Sequence, residues 1–115
     1  MKLLLPALLR NARFVASIEM HAGKMTRDEA ADFFVKEGYQ TRASAVMEAN
    51  RGTTDPTYLV YTLGKLAVLK LRDDYRKLRG QKFSLQEFHD EFLKQGFPPI
   101  KLIRRAMLGK DGEVL

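Results

Sequence analysis

The chain has 115 residues, 45% of them hydrophobic and 30% charged, which suffices for one globular domain with its own core. Its net charge of +6 permits contact with nucleic acid or acidic surfaces without requiring it. Because the sequence contains no cysteine, disulfides, thiolate zinc sites and thiol nucleophiles are excluded.

The apolar start of the chain resembles a secretory signal, but Pro6 interrupts it and Arg10 and Arg13 close it. No small-residue cleavage site follows, so we expect no signal peptide. No apolar run approaches the ~20 residues of a membrane span. We therefore expect a cytoplasmic protein without membrane contact.

Apolar residues at spacings of three and four predict helices throughout the first half of the chain. Thr26 and Glu29 form the pattern of a capping box, which places the start of a helix near Arg27. Thr41 is suited to cap the next helix. The predicted helices cover about Lys2–Met20, Arg27–Glu37 and Arg42–Asn50, and a loop follows at Arg51–Asp55.

A long fourth helix is predicted from about Pro56 to Leu78, with Asp55 as its cap. Its first part, residues 58–71, is apolar almost all round, which is typical of a helix that is covered on all sides. Gly64 inside this part costs about 1 kcal/mol relative to Ala, so we expect a neighbour packed closely against it.

Two shorter helices complete the chain. Ser84 and Glu87 predict a second capping box, and a last helix runs from Pro98-Pro99 to Leu108. No strand-type alternation and no linker interrupts this series. The sequence thus predicts an all-α fold, a compact bundle of about five or six helices around the long central apolar helix at about 56–78. We expect a single domain over residues 1–108 and a flexible tail over 109–115.

The two histidines do not have the spacing of a zinc site, which needs more ligands than two separated imidazoles. We interpret His89 as an interfacial or capping residue. His21 stands at a junction between helix and loop, a position that favours a role in a cleft.

Tyr58 and Tyr61 stand near the start of the fourth helix, beside the loop that carries Arg51. Tyrosines at helical spacing are most often core aromatics with a solvated hydroxyl. Alternatively, a phenol and a guanidinium near a helix start can donate hydrogen bonds to an oxyanion.

Basic residues share one face of the later fourth helix, namely Lys65, Arg72, Arg76 and Arg79. Asp73 and Asp74 lie between them and weaken the case for a phosphate-binding stripe. Such a run is usually a solvated face, so nucleic acid is an unlikely partner.

Several short motifs, in order, resemble the C-terminal part of the bacterial domain-of-unknown-function 885 family. They are Arg13, Met20-His21-Ala22-Gly23, Glu48 with Arg51-Gly52, Asp55-Pro56-Thr57-Tyr58-Leu59, Tyr61-Thr62-Leu63-Gly64-Lys65-Leu66, Phe88-His89-Asp90 and Gly96-Phe97-Pro98-Pro99-Ile100. The resemblance covers about Leu9 to Leu108 and implies an all-helical, gluzincin-like zinc metallopeptidase.

In that family the His-Glu-x-x-x-x-His-His type segment and a downstream Glu bind zinc, and they lie upstream of this part. We therefore expect no metal ligand and no cofactor in this chain; zinc is implied for a full-length relative, which could also be exported. His21, Arg51 and Tyr61 are the expected contributors to the cleft, with Tyr61 as an oxyanion donor.

Three hypotheses follow. The first is a fragment or truncated relative of a zinc metallopeptidase that is inactive alone and joins a separate metal-binding part through the apolar helix 58–71. The second is a homo-oligomeric interaction module that uses the same helix. The third, ranked last, is a weak nucleic-acid-binding protein.

Overall fold

A computed structural model describes residues 4–115, and over that range it contains six α-helices, one short 3-10 turn and no strand. The all-α prediction with five or six helices is confirmed. The predicted start of the first helix at Lys2 lies outside the described residues. The helices are α1 (Leu4–His21), α2 (Arg27–Lys36), α3 (Arg42–Thr54), α4 (Val60–Arg79), α5 (Leu85–Lys94) and α6 (Ile100–Leu108).

The two predicted capping boxes differ in outcome. At α2 the Thr26 hydroxyl accepts the Glu29 N–H, and the Glu29 carboxylate accepts the Thr26 N–H at 2.8 Å, so this box is complete. At α5 the Ser84 hydroxyl accepts the Glu87 N–H at 3.0 Å. The Glu87 carboxylate instead accepts the Tyr75 hydroxyl at 3.1 Å, so only half of the second box forms. A tertiary partner has replaced the local one.

The loop predicted at Arg51–Asp55 is wrong for most of its length, because α3 continues to Thr54. The predicted start of the fourth helix at Asp55–Pro56 is also wrong, since α4 begins at Val60. The Asp55 carboxylate accepts both the N–H of Thr57 at 3.1 Å and its hydroxyl at 2.7 Å. This local turn uses the carboxylate that helix capping would have required.

The described residues group into two units, 4–63 and 64–115, with the division inside α4. Small side chains dominate the core of the first unit, which lets helices approach closely. Its buried residues are Ala12, Ala16, Ala30, Ala31, Phe34, Ala45, Ala49 and Tyr58. The prediction of one domain over residues 1–108 stays a prediction.

The second unit has an aromatic core around Phe88, which is 2% exposed. The Tyr75 and Phe92 rings lie with their centroids 5.9 Å from that of Phe88. Leu71 and Ile103 complete the buried cluster. In this unit, large side chains fill the space between the helices.

The apolar part of α4 is only partly covered within the described residues. Val60, Tyr61 and Leu66 are 52%, 55% and 42% exposed. A Cβ at Gly64 would meet nothing within 4 Å, so the expected close neighbour is absent from the part of the chain that is described. None of the helices between residues 4 and 115 is long and apolar enough to cross a bilayer.

Candidate functional site

An ion pair joins α1 to α3. The Arg13 guanidinium donates through Nε to Glu48 Oε2 at 2.8 Å and through Nη2 to Oε1 at 2.6 Å. Both side chains are 15% exposed, and hydrogen bonding to Glu48 raises the pKa of Arg13. The pair has a bidentate geometry, the stronger form of ion pair.

Tyr58 is buried beside this pair and is 2% exposed. The guanidinium carbons of Arg13 and Arg51 lie 5.9 and 5.6 Å from its ring centroid. Its hydroxyl is buried without a hydrogen-bond partner among the described residues and lies against Gly52. Burial, followed by the charge of Glu48, raises the pKa of Tyr58 to about 12. The core interpretation is correct for Tyr58, although its hydroxyl is not solvated.

The predicted cleft residues His21 and Arg51 both have internal partners. The His21 Nε2 donates a hydrogen bond to the Gly52 carbonyl at 2.9 Å. Because a carbonyl oxygen can only accept, Nε2 carries a proton. Arg51 donates to the Asp55 carboxylate at 3.1 and 3.3 Å, one turn along α3. Both side chains therefore support the backbone between α3 and α4.

Tyr61 has different surroundings. It lies in the first turn of α4, 55% exposed, and the Arg10 guanidinium carbon is 5.0 Å from its ring centroid. Beside it, the Thr62 hydroxyl donates to the Asn11 side chain at 2.9 Å and fixes this turn against α1. The arrangement offers an accessible phenol next to an exposed cation, two groups that stabilise negative charge.

The three predicted residues thus fall into two places. His21 and Arg51 flank Gly52 and the buried Tyr58, whereas Tyr61 contacts Arg10. Sequence reasoning missed Arg10, since it was interpreted only as the residue that closes the apolar start. No pattern in the sequence indicates that an arginine on α1 lies over the ring of an exposed tyrosine on α4.

His89 lies exposed on α5, its ring centroid 5.8 Å from that of Phe88. Within residues 4–115, no group of three or more His, Cys, Asp and Glu side chains could hold a metal ion.

These observations define the class as an all-helical protein with a buried tyrosine just before its longest helix and an exposed one in the first turn of that helix. The chain belongs to the family described as "Bacterial protein of unknown function (DUF885)", whose model matches residues 1–107. No curated protein and no solved structure matches it.

Proposed function

We propose that this chain is the substrate-facing helical part of a zinc metallopeptidase-like hydrolase. Zinc binding and base catalysis would come from protein outside the described residues. Membership of the DUF885 family gives the context. The observation that carries the proposal is the accessible Tyr61 phenol with the Arg10 guanidinium 5.0 Å from its ring.

Peptide hydrolysis passes through a tetrahedral intermediate whose former carbonyl oxygen carries negative charge. A positioned hydrogen-bond donor to that oxygen lowers the barrier, and loss of one such donor typically costs about 100- to 1,000-fold in kcat. The Tyr61 hydroxyl would donate a hydrogen bond to this oxygen, and the positive charge of Arg10 would strengthen that hydrogen bond. The turn holding Tyr61 is fixed to α1 by the Thr62–Asn11 hydrogen bond.

Two assays test this function. The chain alone, supplied with zinc and either casein or small peptides, is expected to give no hydrolysis above the blank; metal-dependent turnover would overturn the proposal of a separate metal-binding part. The second assay mixes the chain with the separately expressed zinc-binding segment of a longer family member. Zinc-dependent hydrolysis is expected only in the mixture.

In the mixture, Tyr61→Phe is expected to lower kcat about 100-fold or more with little change in KM, because only the transition state needs the donor. Tyr39→Phe is the matched control, since Tyr39 is also exposed, at 67%, and loses the same hydroxyl. Equal kcat values for Tyr61→Phe and Tyr39→Phe would show that the Tyr61 hydroxyl has no role in the reaction.

The exposure of Val60, Tyr61 and Leu66 on α4 favours a second candidate, a homo-oligomeric module that buries this surface. The mass of the protein in solution, measured by light scattering on a sizing column, tests it. Either Leu63→Asp or Leu66→Asp would place a charge on this surface. Leu66→Asp is preferable, because Leu66 is exposed whereas Leu63 is half-buried and its replacement would also disturb packing within the chain. A mass unchanged by Leu66→Asp would count against the module.

A further inference from the structure

A buried arginine in the second unit has unused hydrogen-bond donors. Arg104 on α6 is 5% exposed, and its Nη2 forms an ion pair with Asp74 Oδ2 at 2.9 Å. Its Nε and Nη1 are buried with no partner among residues 4–115. A buried donor left unpaired costs about 1–3 kcal/mol, more when the group is charged. Arg104 therefore has the capacity to bind a further acceptor.

Arg104 lies in the wall of a cavity of about 500 Å³, a volume suited to a small ligand. Three lysines line the same cavity, Lys70, Lys77 and Lys110. Asp74 is already shared, because it accepts from Lys70 at 2.7 Å and also pairs with Arg104. Lys77 and Lys110 have no ion-pair partner in the described part of the chain. Glu113 also lines the cavity and has no ion-pair partner among the described residues, so two unpaired lysines stand against one unpaired carboxylate and the unpaired charge is positive overall.

The C-terminal segment 110–113 forms the remaining wall. A Cβ at Gly112 would lie 3.3 Å from Arg104 Nη2, so the backbone of this segment passes close to the guanidinium. An exposed ion pair between Arg105 and Asp111, at 2.8 and 2.9 Å, holds the segment in place. Exposed pairs contribute about 0.2–1 kcal/mol, so the segment could shift away from the guanidinium at little cost.

We propose that this cavity binds a small oxyanion, a phosphate or a carboxylate, with Arg104 as its main ligand and Lys77 and Lys110 as supporting cations. A planar guanidinium has two edges of parallel N–H donors, Nε with Nη2 and Nη1 with Nη2, and each edge matches two oxygens of such a group. Asp74 contacts only Nη2, which carries a second N–H. The site lies wholly in the second unit and does not depend on the proposed hydrolase function.

The test uses the full chain, titrated with sodium phosphate at constant ionic strength and followed by NMR of the arginine Nε–H signals. A saturable shift of the Arg104 signal is expected. About 10 mM phosphate fills roughly 90% of a site whose Kd is about 1 mM. Sodium acetate in a parallel titration distinguishes the two anions, because a phosphate site should bind acetate more weakly and a carboxylate site should bind it as well or better.

Variants decide which groups bind. Lys77→Met and Lys110→Met should each weaken binding about threefold, as expected for one exposed cation. Arg104→Lys keeps the charge but loses the fork and should weaken it at least tenfold. Lys82→Met is the control, because Lys82 is exposed, lies outside the cavity and loses the same charge.

Absence of a saturable shift for both anions would overturn the proposal. So would equal weakening by Lys82→Met and the two cavity lysine variants, which would indicate only general attraction to a basic surface. If Arg104→Lys does not fold, the comparison of Lys77→Met and Lys110→Met with Lys82→Met still tests whether the anion binds in the cavity.

Discussion

Gly52→Ala is the most informative single substitution, since general helix preference and the local packing predict opposite results. Replacing a glycine inside a helix by alanine ordinarily stabilises it by about 1 kcal/mol. At Gly52 the new Cβ would overlap the Tyr58 hydroxyl and the Met20 Cε, and would lie 3.0 Å from Tyr58 Cζ. Only the methionine end is flexible enough to move away without cost.

Tyr58 cannot withdraw freely, because its ring is buried and the guanidinium carbons of Arg13 and Arg51 lie 5.9 and 5.6 Å from its centroid. Overpacking of this kind costs about 1–3 kcal/mol, which exceeds the gain in helix propensity. After the helix-propensity gain is subtracted, we expect Gly52→Ala to lower the free energy of unfolding by up to about 2 kcal/mol. Gly64→Ala, where a Cβ meets nothing within 4 Å, should raise it by up to about 1 kcal/mol.

Urea titrations followed by circular dichroism measure both effects, provided that the m-value is unchanged. In a Tyr58→Phe background the hydroxyl contact is gone, so Gly52→Ala should cost at least about 0.5 kcal/mol less. If Gly52→Ala stabilises the protein as Gly64→Ala does, the tight contact described for Gly52 does not exist. If the cost persists undiminished in the Tyr58→Phe background, the hydroxyl is not its source.

Three further changes test the ionic and phenolic groups. Tyr58 has a folded pKa of about 12 against 10.0 for the ordinary group, so unfolded chains lose its proton first as the pH rises. Stability should therefore fall between pH 10 and 12 by up to about 2.7 kcal/mol, and Tyr58→Phe, followed by urea titration at each pH, should remove that fall. Asp74→Asn should lower the free energy of unfolding by about 3 kcal/mol, measured by thermal or urea unfolding, because it leaves the buried Arg104 guanidinium without its anion. Asp73 is 54% exposed, so Asp73→Asn should change it by less than about 0.5 kcal/mol. Similar losses of stability in the two variants would contradict the buried ion pair. Glu48→Gln should lower the free energy of unfolding by about 2–3 kcal/mol. Glu37 is 52% exposed, so Glu37→Gln should leave stability nearly unchanged in the same assay. An unchanged stability of Glu48→Gln would mean that the ion pair between α1 and α3 does not stabilise the fold.

Much of the helical pattern could be predicted because it depends on local signals. The start of α2 follows from the side chains of Thr26 and Glu29, which are three residues apart and satisfy each other. Periodic apolar residues indicated the other helices for the same reason. Errors arose where a distant contact competed with a local signal, as at Glu87, whose carboxylate binds Tyr75 on another helix.

The stretch between α3 and α4 shows the same limit. Gly52 was interpreted as a loop residue, yet it lies inside α3, and Tyr58 occupies the space that a side chain at position 52 would need. Gly64 was expected to have a close neighbour and faces open space. A sequence shows that a glycine is present, but only the fold shows which backbone or side chain approaches it.

The residues of the candidate site stay a prediction, and their geometry could not be derived from the sequence. The positions of His21, Arg51 and Tyr61 were identified from helix ends and from the family resemblance, but their partners were not. That His21 would bind a backbone carbonyl and that Tyr61 would meet Arg10 depends on the packing of α1, which brings together residues far apart in sequence.

The two hydrogen bonds from α1 to backbone carbonyls have a consequence for variation among relatives. Ser17 donates to the Pro56 carbonyl at 2.8 Å and His21 to that of Gly52 at 2.9 Å. A carbonyl is the same group whatever side chain its residue carries. The hydrogen bond to position 56 therefore tolerates replacement of Pro56, whereas its donor at position 17 has no such freedom. Substitutions in a mutational scan should be unequal on the two sides of this bond, with Ser17 intolerant and Pro56 permissive.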